Sequence, residues 1–279
     1  MSMRKLRDDL EFVKVSGHRM HIFRAGSEAG SKLVFMSGSG TVAPMYDFKV
    51  LYEKLMSSFR VIVIEKFGYG YSDLYDAPCD ADTVVDLQRK ALAELGEKGP
   101  YILLPHSMSG LEAIRWSQSY PDEVAGIVGL DMALPKTYQE WGSEGLQKRI
   151  QAMKKLRRLH EKGLLFWYPL NKRSLTKDEA IQQRLLWKRN AMNDCFISAA
   201  KEVLKNAETA ASGGRICCPL LMFVSNGKQV SPNWISHQKG FARQENGRLI
   251  QLSCGHYVHY YESEMIAERV KEFVKELPA

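Results

Sequence analysis

The stretch Tyr101-Ile-Leu-Leu-Pro-His-Ser-Met-Ser-Gly110 is the part of this sequence best suited to chemistry. Tyr101 to Leu104 have strand character, His106-Ser107-Met108 form a polar corner, and Ser109-Gly110 open a helix over Leu111 to Tyr120. A serine at a sharp strand-to-helix turn has its hydroxyl lifted off the sheet edge. The N–H groups at the helix start point toward it, where they can stabilise an oxyanion. Ser107 is therefore a candidate nucleophile. A serine hydroxyl is a poor nucleophile near neutral pH, so it needs a base to take its proton. That base in turn needs an acid to hold its tautomer.

The surrounding elements must bring such groups together. Phe12-Val-Lys-Val15 and His18 to Phe23 alternate about a Ser16-Gly17 turn, which predicts a hairpin. Lys32 to Met36 is a short apolar strand, a helix is expected from Met45 to Ser57, and Arg60 to Glu65 reads as a buried strand. A helix from about Ala81 to Gly96 precedes the Tyr101 strand, and the strand Glu123 to Asp131 ends on an acid. Residues 134 to 214 are helical in period, and Pro219 to Val224 restores the strand pattern. A helix near Asn233 to Gln244, a last strand Arg248 to Ser253 and a closing helix Glu262 to Glu276 complete the chain. Strands alternating with helices imply a parallel sheet covered on both faces.

The elbow-like stretch resembles the nucleophile elbow of the α/β-hydrolases, and Phe67-Gly-Tyr-Gly-Tyr-Ser-Asp73 matches that family's Gly-x-Gly-x-Ser loop. The resemblance extends from residue 12 to about 275 and implies an α/β fold: a mostly parallel eight-stranded sheet, helices on both faces, and an inserted helical cap. The expected division is 1–133 and 215–279 for the core and 134–214 for the cap. A serine in the nucleophile slot argues against the dehalogenase and epoxide-hydrolase branches, which need a carboxylate there. Pro105 and Ser109 stand where glycines are usual.

By the same resemblance the base follows the last strand, at Ser-Cys-Gly-His256. His259 is the fallback, and a surface histidine after a turn is the plain alternative. The usual site of the acid, Pro219 to Pro232, contains no carboxylate, and Lys228 falls near the expected place. Asp131 occupies the other position that family members use, as in haloalkane dehalogenases and some lipases. A helix N-cap is its plain alternative. The oxyanion donors implied are the N–H groups of Met108 and Ser39, the latter in Ser37-Gly-Ser-Gly40 where relatives carry His-Gly-x.

Composition fits a single α/β domain with an insertion: 279 residues, 45% hydrophobic and 25% charged. No signal peptide or membrane-span run is visible, and a cytoplasmic location is the default expectation. The five cysteines show no CxxC spacing and read as reduced, with Cys254 a candidate reactive thiol or simply a small apolar residue. No metal-ligand cluster and no complete G-x-G-x-x-G is present, so no metal or other cofactor is expected.

Net charge is +7, yet residues 136–215 alone hold 17 Lys and Arg against 8 Asp and Glu, a balance of +9 that leaves −2 for the rest. This cap lacks the fold motifs of nucleic-acid binders. Leu146, Ile150, Met153 and Leu156 share one helical face with basic residues on the others. That pattern suits a solvated helix, or a surface drawn weakly to anionic lipid or to an acidic substrate. Gly163 to Pro169 could line an acyl pocket or be cap core. The expectation is a serine hydrolase cleaving a small-molecule carboxylic ester through an acyl-enzyme. The same parts would serve an aminopeptidase, an amidase or an acyltransferase. A catalytically weak ligand receptor and a membrane-surface binding protein are the readings from other classes.

Overall fold

A computed structural model of the chain describes residues 5–165 and 167–278. The eight strands are β1 (Phe12–Val15), β2 (His18–Gly26), β3 (Lys32–Met36), β4 (Arg60–Glu65), β5 (Tyr101–Pro105), β6 (Val124–Leu130), β7 (Leu220–Val224) and β8 (Arg248–Gln251). They form one sheet in the order β1-β2-β4-β3-β5-β6-β7-β8, antiparallel at β1/β2 and β2/β4 and parallel from β4 to β8. This is the mostly parallel sheet that the strand–helix alternation implied.

Side chains alternate along the central strands, and both faces are covered. Val34, Ile62, Leu103 and Ile127 point into one core, while Leu33, Phe35, Val63, Leu104 and Phe223 point into the other. The first core is closed by α3 (Ala81–Glu94), α4 (Ser109–Ser119) and α8 (Trp234–Gln244), through Leu87, Leu111, Trp116 and Trp234. The second is closed by α2 (Lys49–Tyr52), α9 (Val258–Tyr261) and α10 (Ser263–Lys275), through Leu51, Tyr52, Val258, Ile266 and Val270. The helix expected over residues 45–57 is two short pieces, α1 (Pro44–Asp47) and α2, which break at Phe48. Tyr46, Val50, Leu51 and Leu55 are all buried, as the pattern required.

Between β6 and β7 the chain leaves the sheet as α5 (Pro135–Glu161), α6 (Lys177–Asn190) and α7 (Asp194–Ser212). Gly142, at φ 59° and ψ −174°, kinks α5 near its start. Leu146 and Met153 are buried beneath α5, but Leu156 is 40% exposed, so the apolar stripe ends a turn early. Lys148, Arg149, Lys154, Lys155 and Arg158 are exposed. Arg157 is spent on Asp194 and Glu161, and Lys148 on Glu144. In the Gly163–Pro169 segment Leu164 and Trp167 are exposed, while Phe166 and residues 1–4 lie outside the described residues. None of the helices among the described residues is long and apolar enough to cross a membrane.

The insertion stands on the Phe67–Asp73 loop. Gly68 has φ +81°, and an added Cβ would lie 2.5 Å from Cys195 Cβ of α7, so the close approach needs glycine there. Asn193, which caps α7 by accepting from the Phe196 N–H at 3.1 Å, donates to the Gly68 carbonyl at 2.7 Å. Asn190 donates to the Gly70 carbonyl at 2.7 Å. The loop thus acts as the footing of the helical insertion, consistent with a structural role.

Candidate active site

Strand order decides where this site can form. The chain goes from β3 to β4 on one side of the sheet, then returns to place β5 on the other side of β3. The loops after β3 and β5 therefore diverge from adjacent strand ends, leaving a crevice at the carboxyl edge. Ser107 occupies it at φ 56°, a left-handed conformation that serine rarely takes.

The elbow is held from several sides. His106 N–H donates to the Met36 carbonyl at 3.0 Å, and the Ala133 N–H donates to the Ser107 carbonyl at 2.7 Å. The Ser109 hydroxyl is shared between the Met36 and His106 carbonyls, at 2.8 and 2.9 Å. Serine in place of glycine thus supplies a bond that ties the turn to β3. At the neighbouring position an added Gly110 Cβ would run into the Ala133 backbone, so the required glycine has moved one residue along.

The Ser37–Gly40 loop lies directly against this turn. A Cβ on Gly38 would sit 2.5 Å from Ser107 Cβ, 2.6 Å from the His106 carbonyl oxygen and 3.2 Å from Met108 N. Ser39, next to Gly38, and Met108, next to Ser107, lie on the two sides of this contact. Among the described residues neither of their backbone N–H groups finds an acceptor within the protein. Met108 also stands at the N-terminus of α4, where the helix dipole adds positive potential.

His256 follows β8, and its Nδ1 lies 2.6 Å from Asp131 Oδ2. Since a carboxylate accepts, Nδ1–H is the donor and the lone pair is left on Nε2. Asp131 is 0% exposed at the end of β6, with φ 50°. Its other oxygen accepts from the Ser225 N–H at 2.8 Å and the Trp234 indole N–H at 2.7 Å. Three donors satisfy this fully buried carboxylate and fix its plane. The end of β7, which carries no acid, thus contributes a donor to the acid on β6. Lys228 is exposed, and among the described residues it forms no ion pair with Asp131.

His106 connects the loop that carries His256 to the Ser107 turn. Its Nε2 donates to the His256 carbonyl at 3.3 Å, and the two rings lie 4.7 Å apart. Burial and the neighbouring His256 and His259 hold it well below the ordinary histidine range, so it is neutral. His259 is also buried, pushed down to about 3 by burial and His256, and makes no bond to Asp131. Among the described residues no hydrogen bond joins Ser107 to His256. Such bonds are often long before substrate arrives. The Gln229 side chain accepts from the His256 N–H at 2.9 Å and braces the loop. Trp234, Ser225, Gln229 and His106 had no signal in the sequence. Their partners are remote in the chain and their types are common.

Two hollows adjoin the site. One, of ≈30 Å³ beneath Met108, Tyr69 and Cys195, has room for little more than one water. The other is a cleft of ≈560 Å³ between the helical insertion and the core, bordered by Gly40, Gln229 and Tyr257. Its size suits a small molecule. The five cysteines are free, and burial raises the Cys254 thiol above its ordinary range, away from a reactive thiolate. Among the described residues no cluster of His, Cys, Asp and Glu could hold a metal ion.

Comparison with known proteins agrees with this architecture. No protein-family model matches the chain. The uncharacterised protein YbdG of Bacillus subtilis is 31% identical over 283 residues, covering 95% of this chain and 85% of YbdG. Among solved structures, a thermophilic esterase from Thermogutta terrifontis superposes with TM-score 0.71 at 19% identity, covering 95% of this chain and 98% of the esterase. A haloalkane dehalogenase DbeA variant from Bradyrhizobium elkanii does so with TM-score 0.70 at 16% identity, covering 96% of each chain. Identities this low speak for the fold alone. The chain has the α/β-hydrolase fold, and it belongs to one family with YbdG.

Proposed function

We propose that the protein is a serine hydrolase that cleaves carboxylic esters through an acyl-enzyme on Ser107. The observation that carries this reading is the left-handed Ser107 turn on the same strand edge as the 2.6 Å His256–Asp131 bond. In the first step His256 Nε2 takes the Ser107 proton as the oxygen attacks the ester carbonyl. The resulting oxyanion accepts from the Ser39 and Met108 N–H groups. The imidazolium is stabilised by Asp131, whose charge is kept in place by Trp234 and Ser225. Collapse breaks the bond to the alcohol, which leaves with the proton from Nε2. Water, deprotonated by the same nitrogen, then releases the acid and restores Ser107.

Hydrolysis of an amide, or transfer of the acyl group to another alcohol, would use the same steps with a different leaving group or acceptor. Product analysis separates them. The direct test is covalent labelling by a fluorophosphonate together with p-nitrophenyl ester turnover. Both are expected in the wild type and absent from Ser107→Ala. A Ser107→Ala variant that kept wild-type turnover would refute the proposal.

A further inference from the structure

The cleft between the helical insertion and the core contains a carboxylate with no counter-ion among the described residues, and the proposed ester chemistry does not use it. Asp47, in α1, is 9% exposed and lines this cleft. Its Oδ1 accepts from the Tyr260 hydroxyl at 2.8 Å and the Gln183 amide at 3.2 Å, both neutral donors. Among the described residues no Lys, Arg or His forms an ion pair with it. Lys49, two residues on, is taken by Glu179 and Glu53. A buried carboxylate without a cation is unfavourable and ordinarily finds one.

The cleft walls around it are aromatic. Tyr168 stacks on Trp187 at 4.1 Å, and Tyr257 stacks on Tyr260 at 4.9 Å. Aromatic faces attract cations, and do so more strongly when water is excluded. The cleft already shows one such contact at its rim, where the Arg173 guanidinium lies 5.3 Å over the Tyr261 ring and donates to the Tyr260 carbonyl. Arg173 is exposed to solvent and therefore screened, whereas Asp47 is buried.

We infer that this cleft binds a positively charged amine, with Asp47 as its counter-ion and the tyrosine and tryptophan rings as its cage. Gly40 follows the candidate oxyanion residue Ser39, and Gln229 holds the His256 backbone. A cation held here would place the rest of its molecule beside the loops that carry Ser39 and His256. The inference rests on the ester-hydrolase reading for the rest of that molecule, and it names the substrate class: esters bearing a protonated or quaternary amine. Burial holds the Asp47 carboxyl up at about 6, so it is mostly charged at neutral pH and gains from a cation beside it.

The test compares butyrylcholine with its neutral carbon isostere, 3,3-dimethylbutyl butyrate, and titrates choline alone by calorimetry. The choline ester is expected to be favoured in kcat/KM by about tenfold or more, a ratio that falls toward one in Asp47→Asn. Tyr168→Leu, at a 41% exposed position, is a second variant that folding should tolerate, and it is expected to weaken choline binding about threefold. Equal use of the two esters by the wild type, or an unchanged ratio in Asp47→Asn, would overturn the inference. Should neither ester be cleaved and Ser107 take no fluorophosphonate, the hydrolase reading fails by itself. Choline binding that Asp47→Asn abolishes would still support the cation site, and no binding to the wild type would end it.

Discussion

Gly38→Ala probes the join between the β3 loop and the elbow. The added Cβ would stand 2.5 Å from Ser107 Cβ and 2.6 Å from the His106 carbonyl oxygen, and both neighbours are held by backbone bonds. Unstrained carbon contacts begin at about 3.5 Å, so loop and elbow must part by roughly 1 Å. A shift of that size between nucleophile and oxyanion donors costs about 10²-fold in rate, or ~2.7 kcal/mol of transition-state stabilisation. Overpacking at the same place costs ~1–3 kcal/mol of stability, equivalent to a fall of a few degrees in melting temperature. The assay is kcat/KM on a p-nitrophenyl ester and the second-order rate of fluorophosphonate labelling, with near-ultraviolet circular dichroism to confirm folding. Gly240→Ala, where an added Cβ meets nothing within 4 Å, is the control and should be neutral or slightly stabilising. A folded Gly38→Ala variant with wild-type labelling and turnover would refute the placement of the oxyanion donors.

Asp131→Asn should lower kcat by about 10³–10⁴-fold, since the amide cannot fix the same tautomer of His256; a loss below tenfold would point to another acid. Trp234→Phe removes the 2.7 Å bond to a buried carboxylate and should cost ~1.5–3 kcal/mol in urea unfolding at neutral pH. His259 has its folded-state pKa depressed to about 3, so the unfolded chain binds the extra proton between about 6.5 and 3, and stability drains as pH falls through that window. His259→Phe should remove up to ~1.4 kcal/mol per pH unit of that slope, measured by urea titrations from pH 6.5 to 4.5. Asp47 has the opposite sign: its carboxyl is raised from 3.8 to about 6, so its contribution is intact at pH 4 and lost as pH rises to 6. Asp47→Asn should therefore gain up to ~3 kcal/mol at pH 8 and almost nothing at pH 4, and equal shifts at both would show that its charge is not the cause.

Much of the scaffold is written locally. β-branched runs such as Arg60–Glu65 define buried strands, and the change from strand to helix around Tyr101–Gly110 marks the Ser107 turn without reference to any distant residue. The stops are harder to read. The break at Phe48 and the kink at Gly142 follow from packing against partners far along the chain, so a single helical period passes over both.

Residue types at element ends are enough to mark the serine turn, the histidine after the last strand, and the absence of an acid after β7. The sequence pointed to Asp131 by elimination and resemblance. Only the tertiary structure brought Asp131 to 2.6 Å from His256 across 125 positions. It also supplied the Trp234 indole and the Ser225 N–H as donors, and showed that Ser109 ties the turn to β3. The unpaired Asp47 was likewise invisible, since whether a carboxylate has a cation beside it depends on which strands and helices end as neighbours. That neighbourhood is set by strand order and by how the inserted helices fold back, which are long-range outcomes of burying two apolar faces at once.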